Sequence, residues 1–237
     1  MSASARGRAF RVLFVDNHLL AVAKPAGVPT VPDASGDASL LDQAEAWVRS
    51  EFGKPGRAFL GVVHRLDRPV SGVVLFGRTS KAAARLAKAF REGTARKTYR
   101  GVGEGSPVAD SGVLEQWLEK DEAKNRVRAF ATARTGAKRA VTAWRVVARE
   151  KGRTLYEFAP ETGRSHQLRA CAAALGTPLL GDLKYGAKEP LPDQSIALHA
   201  LALEVEHPTR REPIRFTTPA PATGAWLFGL PQRRGRG

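Results

Sequence analysis

His64-Arg65-Leu66-Asp67-Arg68-Pro69-Val70-Ser71-Gly72, running on into Val73-Val74-Leu75-Phe76, holds an aspartate among arginines where a tight turn feeds an apolar strand. Further along, Glu161-Thr162-Gly163-Arg164-Ser165-His166-Gln167-Leu168-Arg169 repeats the ingredients: a glycine turn, guanidinium groups and an apolar continuation. Two such strings imply one site assembled from distant segments, centred on Asp67.

The pattern around them predicts strands at 10–15 and 19–23 about the turn Asp16-Asn17-His18, then a break at Lys24-Pro25-Ala26-Gly27. Ser39 is expected to cap a helix running to 52, with Leu40, Leu41, Ala44, Trp47 and Val48 on one face. Ser80 is expected to cap a second, which packs Ala84, Leu86, Ala87 and Phe90 and stops at Gly93. Further strands are expected at 73–76, 98–102, 141–147, 155–159, 196–203 and 214–216, with a helix over 165–175. Strands outnumber helices without a βαβ alternation, so the fold class is α+β with a mixed, mainly antiparallel sheet.

With 237 residues, 43% of them hydrophobic, the chain can build one large domain or two small lobes. A formal charge of +15 calls for a polyanionic partner, nucleic acid ahead of acidic lipid. Cys171 is the one cysteine, which rules out a disulfide within the chain and a cysteine-rich metal site, and fits a reducing cytoplasm. The apolar runs are too short to span a bilayer, and Met1-Ser2-Ala3-Ser4-Ala5-Arg6 has no apolar signal segment, so a soluble cytoplasmic protein is expected. His18, His64, His166, His199 and His207 lack metal-ligand spacing, and 24–27 lacks the Walker pattern; no metal and no cofactor are expected. Residues 1–9 read as a disordered start and 226–237 as a basic, solvated tail.

The chain resembles the RluA family of RNA pseudouridine synthases from about residue 10 to residue 220. The resemblance rests on His64-Arg65-Leu66-Asp67 with Ser71-Gly72, Lys97-Thr98-Tyr99, 162–169, Pro178 with Gly181-Asp182 and Tyr185-Gly186, and Leu198-His199-Ala200 with His207-Pro208. It implies a bifurcated antiparallel sheet flanked by helices, with residues 10–225 as one catalytic domain; the S4 domain that many relatives carry in front of it is not expected here, since the chain starts at its first catalytic strand. It also implies that Asp67 is the catalytic carboxylate, Tyr99 the aromatic beside the target base and Arg164 the partner of Asp67. His64, Arg65, His166, Gln167 and Arg169 stand behind them, His166 and Gln167 holding Arg164 in place. Departures are Val70 and Ser165 where threonine is common, and Ala170-Cys171 where an apolar residue and histidine often stand.

Moving uracil from an N- to a C-glycosidic link needs no redox step and no activated water. One ionised carboxylate can do it by adding to C1′, by adding to C6 of the base, or by removing a sugar proton, and the residues leave these routes open. An arginine nearby favours the charged form. The Tyr99 ring can stack on an extruded base, worth about 1–3 kcal/mol. Phosphate contacts are expected from Arg68, Lys97, Arg100, Lys124, Arg126, Lys138 and Arg139, the last four in a basic stretch that reads as an insertion loop or hairpin. Structured RNA is the expected partner, and because the Arg68-Pro69 pair resembles family members that modify transfer RNA, that substrate is expected slightly ahead of ribosomal RNA. No protein partner is implied, and a monomer is expected. Two other readings stay open: a catalytically silent RNA-binding or ribosome-assembly factor, and a glycoside hydrolase, which would want a second carboxylate to activate water.

Overall fold

The computed structural model describes residues 10–53, 55–123, 125–222 and 224–227; the expected disordered start, positions 228–237 of the basic tail and Lys124 lie outside them. In chain order the elements are β1 (Arg11–Val15), β2 (Leu19–Lys24), α1 (Leu40–Glu51), β3 (Gly61–Val62), β4 (Ser71–Gly77), α2 (Ser80–Glu92) and β5 (Arg96–Glu104). There follow β6 (Ser111–Asp121), β7 (Arg126–Phe130), β8 (Lys138–Glu150), β9 (Arg153–Pro160), α3 (Gln167–Ala174), β10 (Leu198–Glu206) and β11 (Pro213–Thr217). All the strands join one sheet, ordered β1-β2-β4-β10-β5-β9-β8-β6-β7, with β3 on β4 and β11 on β10.

The sheet forks at its centre. Strands β4 and β10 run parallel and pair only at Ser71 with His199 and Gly72 with Ala200. Beyond that point they diverge, and the edges so freed are taken by β3 on β4 and β11 on β10. The wedge between them is closed by α2, whose Leu86 packs with Val73 and Leu75 of β4, Leu203 and Val205 of β10, and Phe216. On the opposite face α1 lays Leu40, Ala44 and Val48 against Leu20, Val22, Val74 and Phe76. Alternate residues of β2 and β4 therefore enter two different cores, which is why both strands read as unbroken apolar runs.

Local signals set the helix ends. Ser39 and Asp42 form a reciprocal capping box at the start of α1. Helix α2 is capped by Thr79, one residue before the expected Ser80, and stopped by Gly93 at φ 75°. Its buried residues are Ala82 and Leu86, while Ala84 is exposed. Close approach decides that face: a Cβ on Gly77 or Gly61 would lie 2.6 or 2.3 Å from Ala83. The basic stretch expected as a loop or hairpin takes in the β6–β7 hairpin, paired from Trp117↔Phe130 to Asp121↔Arg126, and runs on into the start of β8 at Lys138 and Arg139. The hairpin lies at the edge of the sheet with a short buried face, so little apolar periodicity marks it.

Gly72 explains the small residue at the fork. It sits at φ 125°, and a Cβ there would lie 2.4 Å from the Ala200 carbonyl oxygen. Beside it the Ser71 hydroxyl donates to His199 Nδ1 at 2.8 Å, because His199 Nε2–H is committed to the Thr218 carbonyl at 3.0 Å. Gly72→Ala is expected to destabilise the protein by about 3 kcal/mol or more, from overlap and backbone strain together. Urea unfolding measures this; a loss under about 1 kcal/mol would show that the fork can open to admit a methyl group.

Candidate active site

Asp67 stands on a turn held from both sides. Leu66 and Val70 are buried on either side of it, and the Val70 N–H donates to the Asp67 carbonyl at 3.0 Å to close the turn. The turn is stitched to residues 24–30. Thr30 Oγ1 donates to the Leu66 carbonyl at 2.8 Å and accepts from its N–H at 3.2 Å, while the Gly27 N–H donates to the Arg68 carbonyl at 2.8 Å. Lys24, 2% exposed, donates through Nζ to the carbonyls of Pro25, Val28 and Arg68 at 3.0, 2.7 and 3.1 Å. Burial draws the lysine down to about 7, with the Asp67 charge opposing, and the three acceptors match the three protons of its ammonium form. Buried Val70 and Cys171 stand in apolar surroundings, the thiol pushed up to about 12 by burial, so both departures from the family pattern are packing residues here.

The Asp67 side chain remains 33% exposed, and its Oδ2 lies 3.2 Å from Arg169 Nη1 and 3.6 Å from His166 Nε2. This corrects the expected pairing with Arg164. Helix α3 begins between the two arginines. Arg164 is exposed in the preceding turn, where its Nε donates to the Arg139 carbonyl at 3.0 Å, whereas Arg169 lies on the buried face of α3. Arg169 is itself gripped by Asp182, Nε to Oδ2 and Nη2 to Oδ1, both at 2.7 Å. Burial alone would lower Arg169, but its two aspartates outweigh that and hold it above the ordinary value. A bidentate pair of this kind fixes the guanidinium plane as well as its charge.

Tyr99 reaches the site by register. On β5 it pairs with Ala200, which pairs in turn with Gly72 at the fork. Its hydroxyl is pushed well above the usual phenol range, first by burial and then by the Asp67 charge, so it stays neutral and able to donate or accept. Gln167 braces the 162–164 turn by accepting from Thr162 Oγ1 and the Arg164 N–H while donating to the Val141 carbonyl and Thr142 Oγ1. Lys97 Nζ donates to the Thr162 carbonyl at 3.0 Å, and burial lowers it.

The other named residues are placed differently from one another. His64 accepts the Leu75 N–H at 2.9 Å, stacks on Phe90 at 4.7 Å and is drawn by burial down to about 3, so it is a neutral packing residue. Arg65 is exposed. Arg68 is engaged by Asp33, Asp37 and Ser35, Arg100 by Glu157 and Arg139 by Glu115. Arg126 and Lys138 are exposed, Arg126 lying 5.5 Å over the Tyr185 ring. Sequence reasoning gave no role to Asp182, Tyr185 or Lys24. The first two were visible only as parts of the Gly181-Asp182 and Tyr185-Gly186 motifs, and Lys24 only as part of a strand break.

The family profile described as RNA pseudouridylate synthase matches residues 18–174, a span that includes Asp67, Tyr99 and Arg169. The chain belongs to the RluA family of RNA pseudouridine synthases. The synthase is an isomerase that converts uridine to pseudouridine, and its substrate is RNA. It is 38% identical over 213 residues to an uncharacterized RNA pseudouridine synthase of Zymomonas mobilis, covering 89% of this chain and 94% of that one. It is also 35% identical over 207 residues to the dual-specificity RNA pseudouridine synthase RluA of Haemophilus influenzae, with 86% and 90% covered. The solved human RNA pseudouridylate synthase domain containing 4 shares the fold at a TM-score of 0.73 and 22% identity, over 89% of the synthase and 88% of that chain. Among the described residues no helix is long and apolar enough to cross a membrane.

Proposed function

We propose that Asp67 is the carboxylate that drives the isomerisation, Tyr99 the ring and hydroxyl beside the extruded uracil, and Arg169 the cation that orients Asp67. The observation that carries this is the one-third exposed Asp67 carboxylate beside a guanidinium that Asp182 holds from behind. The carboxylate acts at C1′, at C6 or on a sugar proton, and the Tyr99 hydroxyl handles the proton lost from C5. Hydrolysis is disfavoured because Asp182, the second carboxylate on Arg169, is 1% exposed and spent on that guanidinium, so it is not free to activate water. A silent binding factor is disfavoured because the site retains its carboxylate, phenol and guanidinium.

The substrate is a uridine in structured RNA, transfer RNA slightly ahead of ribosomal RNA, in the cytoplasm and by a monomer with no protein partner, metal or cofactor. Arg126 and Arg128 of β7 and Lys138 of β8 are exposed on the two strands that pack against α3 and supply phosphate contacts. The test is to incubate the protein with transcribed transfer and ribosomal RNAs and map pseudouridine at single-nucleotide resolution. A product confined to ribosomal RNA overturns the substrate preference, and free uracil overturns the isomerase assignment of the site. Affinity for the modified RNA is expected to fall at least about tenfold between 50 and 200 mM salt. A flat salt response in a filter-binding titration would remove the electrostatic account.

A further inference from the structure

The second group facing Asp67 is set up by a chain of hydrogen bonds that reaches back to the basic hairpin. His166 precedes α3 in the left-handed conformation, at φ 51°, an uncommon state for a residue other than glycine. That conformation puts Nε2 3.6 Å from Asp67 Oδ2 and Nδ1 2.9 Å from the Tyr185 hydroxyl. Tyr185 lies in the short turn Leu183–Tyr185, and its oxygen accepts the Val127 N–H of β7 at 2.9 Å. The hydroxyl proton then has two acceptors, His166 Nδ1 at 2.9 Å and the Val127 carbonyl at 3.5 Å, and the shorter contact takes it. A hydroxyl donating to Nδ1 leaves the proton of the neutral imidazole on Nε2.

We propose that Tyr185 fixes the tautomer of His166 so that the Nε2–H faces Asp67 and orients the carboxylate, making both side chains positioning residues for the reaction. The inference rests on Asp67 being the reacting carboxylate. The neutral ring is the form in which a tautomer matters, and burial holds His166 below its ordinary value. Asp67 and Asp182 pull the other way, while Arg169 and Lys184 oppose its charge. The Arg169 guanidinium lies 4.9 Å over the Tyr185 ring, so both groups that face Asp67 are braced by the same tyrosine. At 3.6 Å the N–H contact is longer than a hydrogen bond, and an approach of about half an ångström would bring it into range. Since Val127 belongs to β7 with Arg126 and Arg128, the chain of contacts runs from the basic hairpin to the carboxylate.

The test uses the full chain labelled with ¹⁵N, reading the His166 ring in long-range imidazole correlation spectra and assigning it by its loss in H166Q. The wild type is expected in the Nε2–H tautomer and Tyr185→Phe as a mixture of both, with its single-turnover rate lowered about threefold to tenfold and RNA affinity unchanged. An Nδ1–H wild type, or an unchanged tautomer in Tyr185→Phe, overturns the proposal. Two variants separate tautomer from backbone. Glutamine places an amide donor near the Nε2 position and asparagine only near Nδ1, yet asparagine is the better tolerated in a left-handed backbone. H166Q is expected within about threefold of wild type and H166N about tenfold below it. The reverse order is what a backbone role alone produces, and it too overturns the proposal. Failure of the Asp67 assignment would appear separately, as activity retained in Asp67→Asn whatever the tautomer.

Discussion

Asp67→Asn is expected to lower the rate of pseudouridine formation by on the order of 10⁴-fold, the scale seen when the one group that forms or breaks a bond is removed. Asparagine has the same shape but cannot add to carbon or take a proton. Little else should change. The Asp67 side chain is one-third exposed and pairs with Arg169 through one oxygen, while Asp182 keeps Arg169 neutralised through two contacts. The stability cost is therefore about 1 kcal/mol or less, as for other partly solvated pairs. RNA affinity should stay within about twofold, since no phosphate contact is removed. Site-resolved mapping after long incubation, with binding measured in parallel, decides the matter. A variant that still modifies the same uridine at a tenth of the wild-type rate would assign the chemistry to another group.

The second large effect is structural, and it falls on Asp182, a residue buried behind Arg169 and away from the base. Asp182→Asn is expected to cost about 3–5 kcal/mol, because it leaves the Arg169 cation buried with half its compensation gone. Arg169 is 6% exposed and Asp182 1% exposed, so water cannot replace the lost carboxylate. For a chain of this size the cost corresponds to a fall in Tm of about 10 °C. A second consequence follows for the folded fraction. Arg169, released from behind, has only Asp67 as an anionic partner, and the carboxylate that should face the substrate is drawn onto it. Activity per folded molecule is expected to fall about tenfold or more. Thermal unfolding and single-turnover kinetics on the same preparation read both effects. A variant as stable as the wild type would show that Asp67 alone suffices to hold the guanidinium.

Much of this fold could be read without coordinates because its strands are covered on both sides. Strands β2 and β4 show as apolar runs, and the capping box at Ser39 and the stop at Gly93 mark helix ends by local chemistry. The β6–β7 hairpin escaped a definite assignment because it is an edge, exposed on most of its surface, where no core imposes a period. The face of α2 was misplaced at Ala84 for a related reason. Which alanines are buried depends on where Gly61 and Gly77 let the helix approach, a contact between elements and not a property of the helix.

Composition and local pattern by themselves determined the class of partner, the α+β character, the Asp67 turn and the family, since charge, periodicity and contiguous motifs are all properties of the chain in one dimension. Only the tertiary structure decided which arginine meets the aspartate. Arg164 and Arg169 belong to one motif, and nothing in their spacing separates them until α3 begins between them and turns one to solvent and the other inward. The same holds for Asp182, Tyr185 and Lys24. Each acts through a contact across many residues of sequence, with Arg169, with His166 and Val127, and with the Arg68 carbonyl. A buried ion or hydroxyl must find its partner wherever the fold delivers one, and where that is depends on the packing of α3 against β7 and β8, not on the order of the letters.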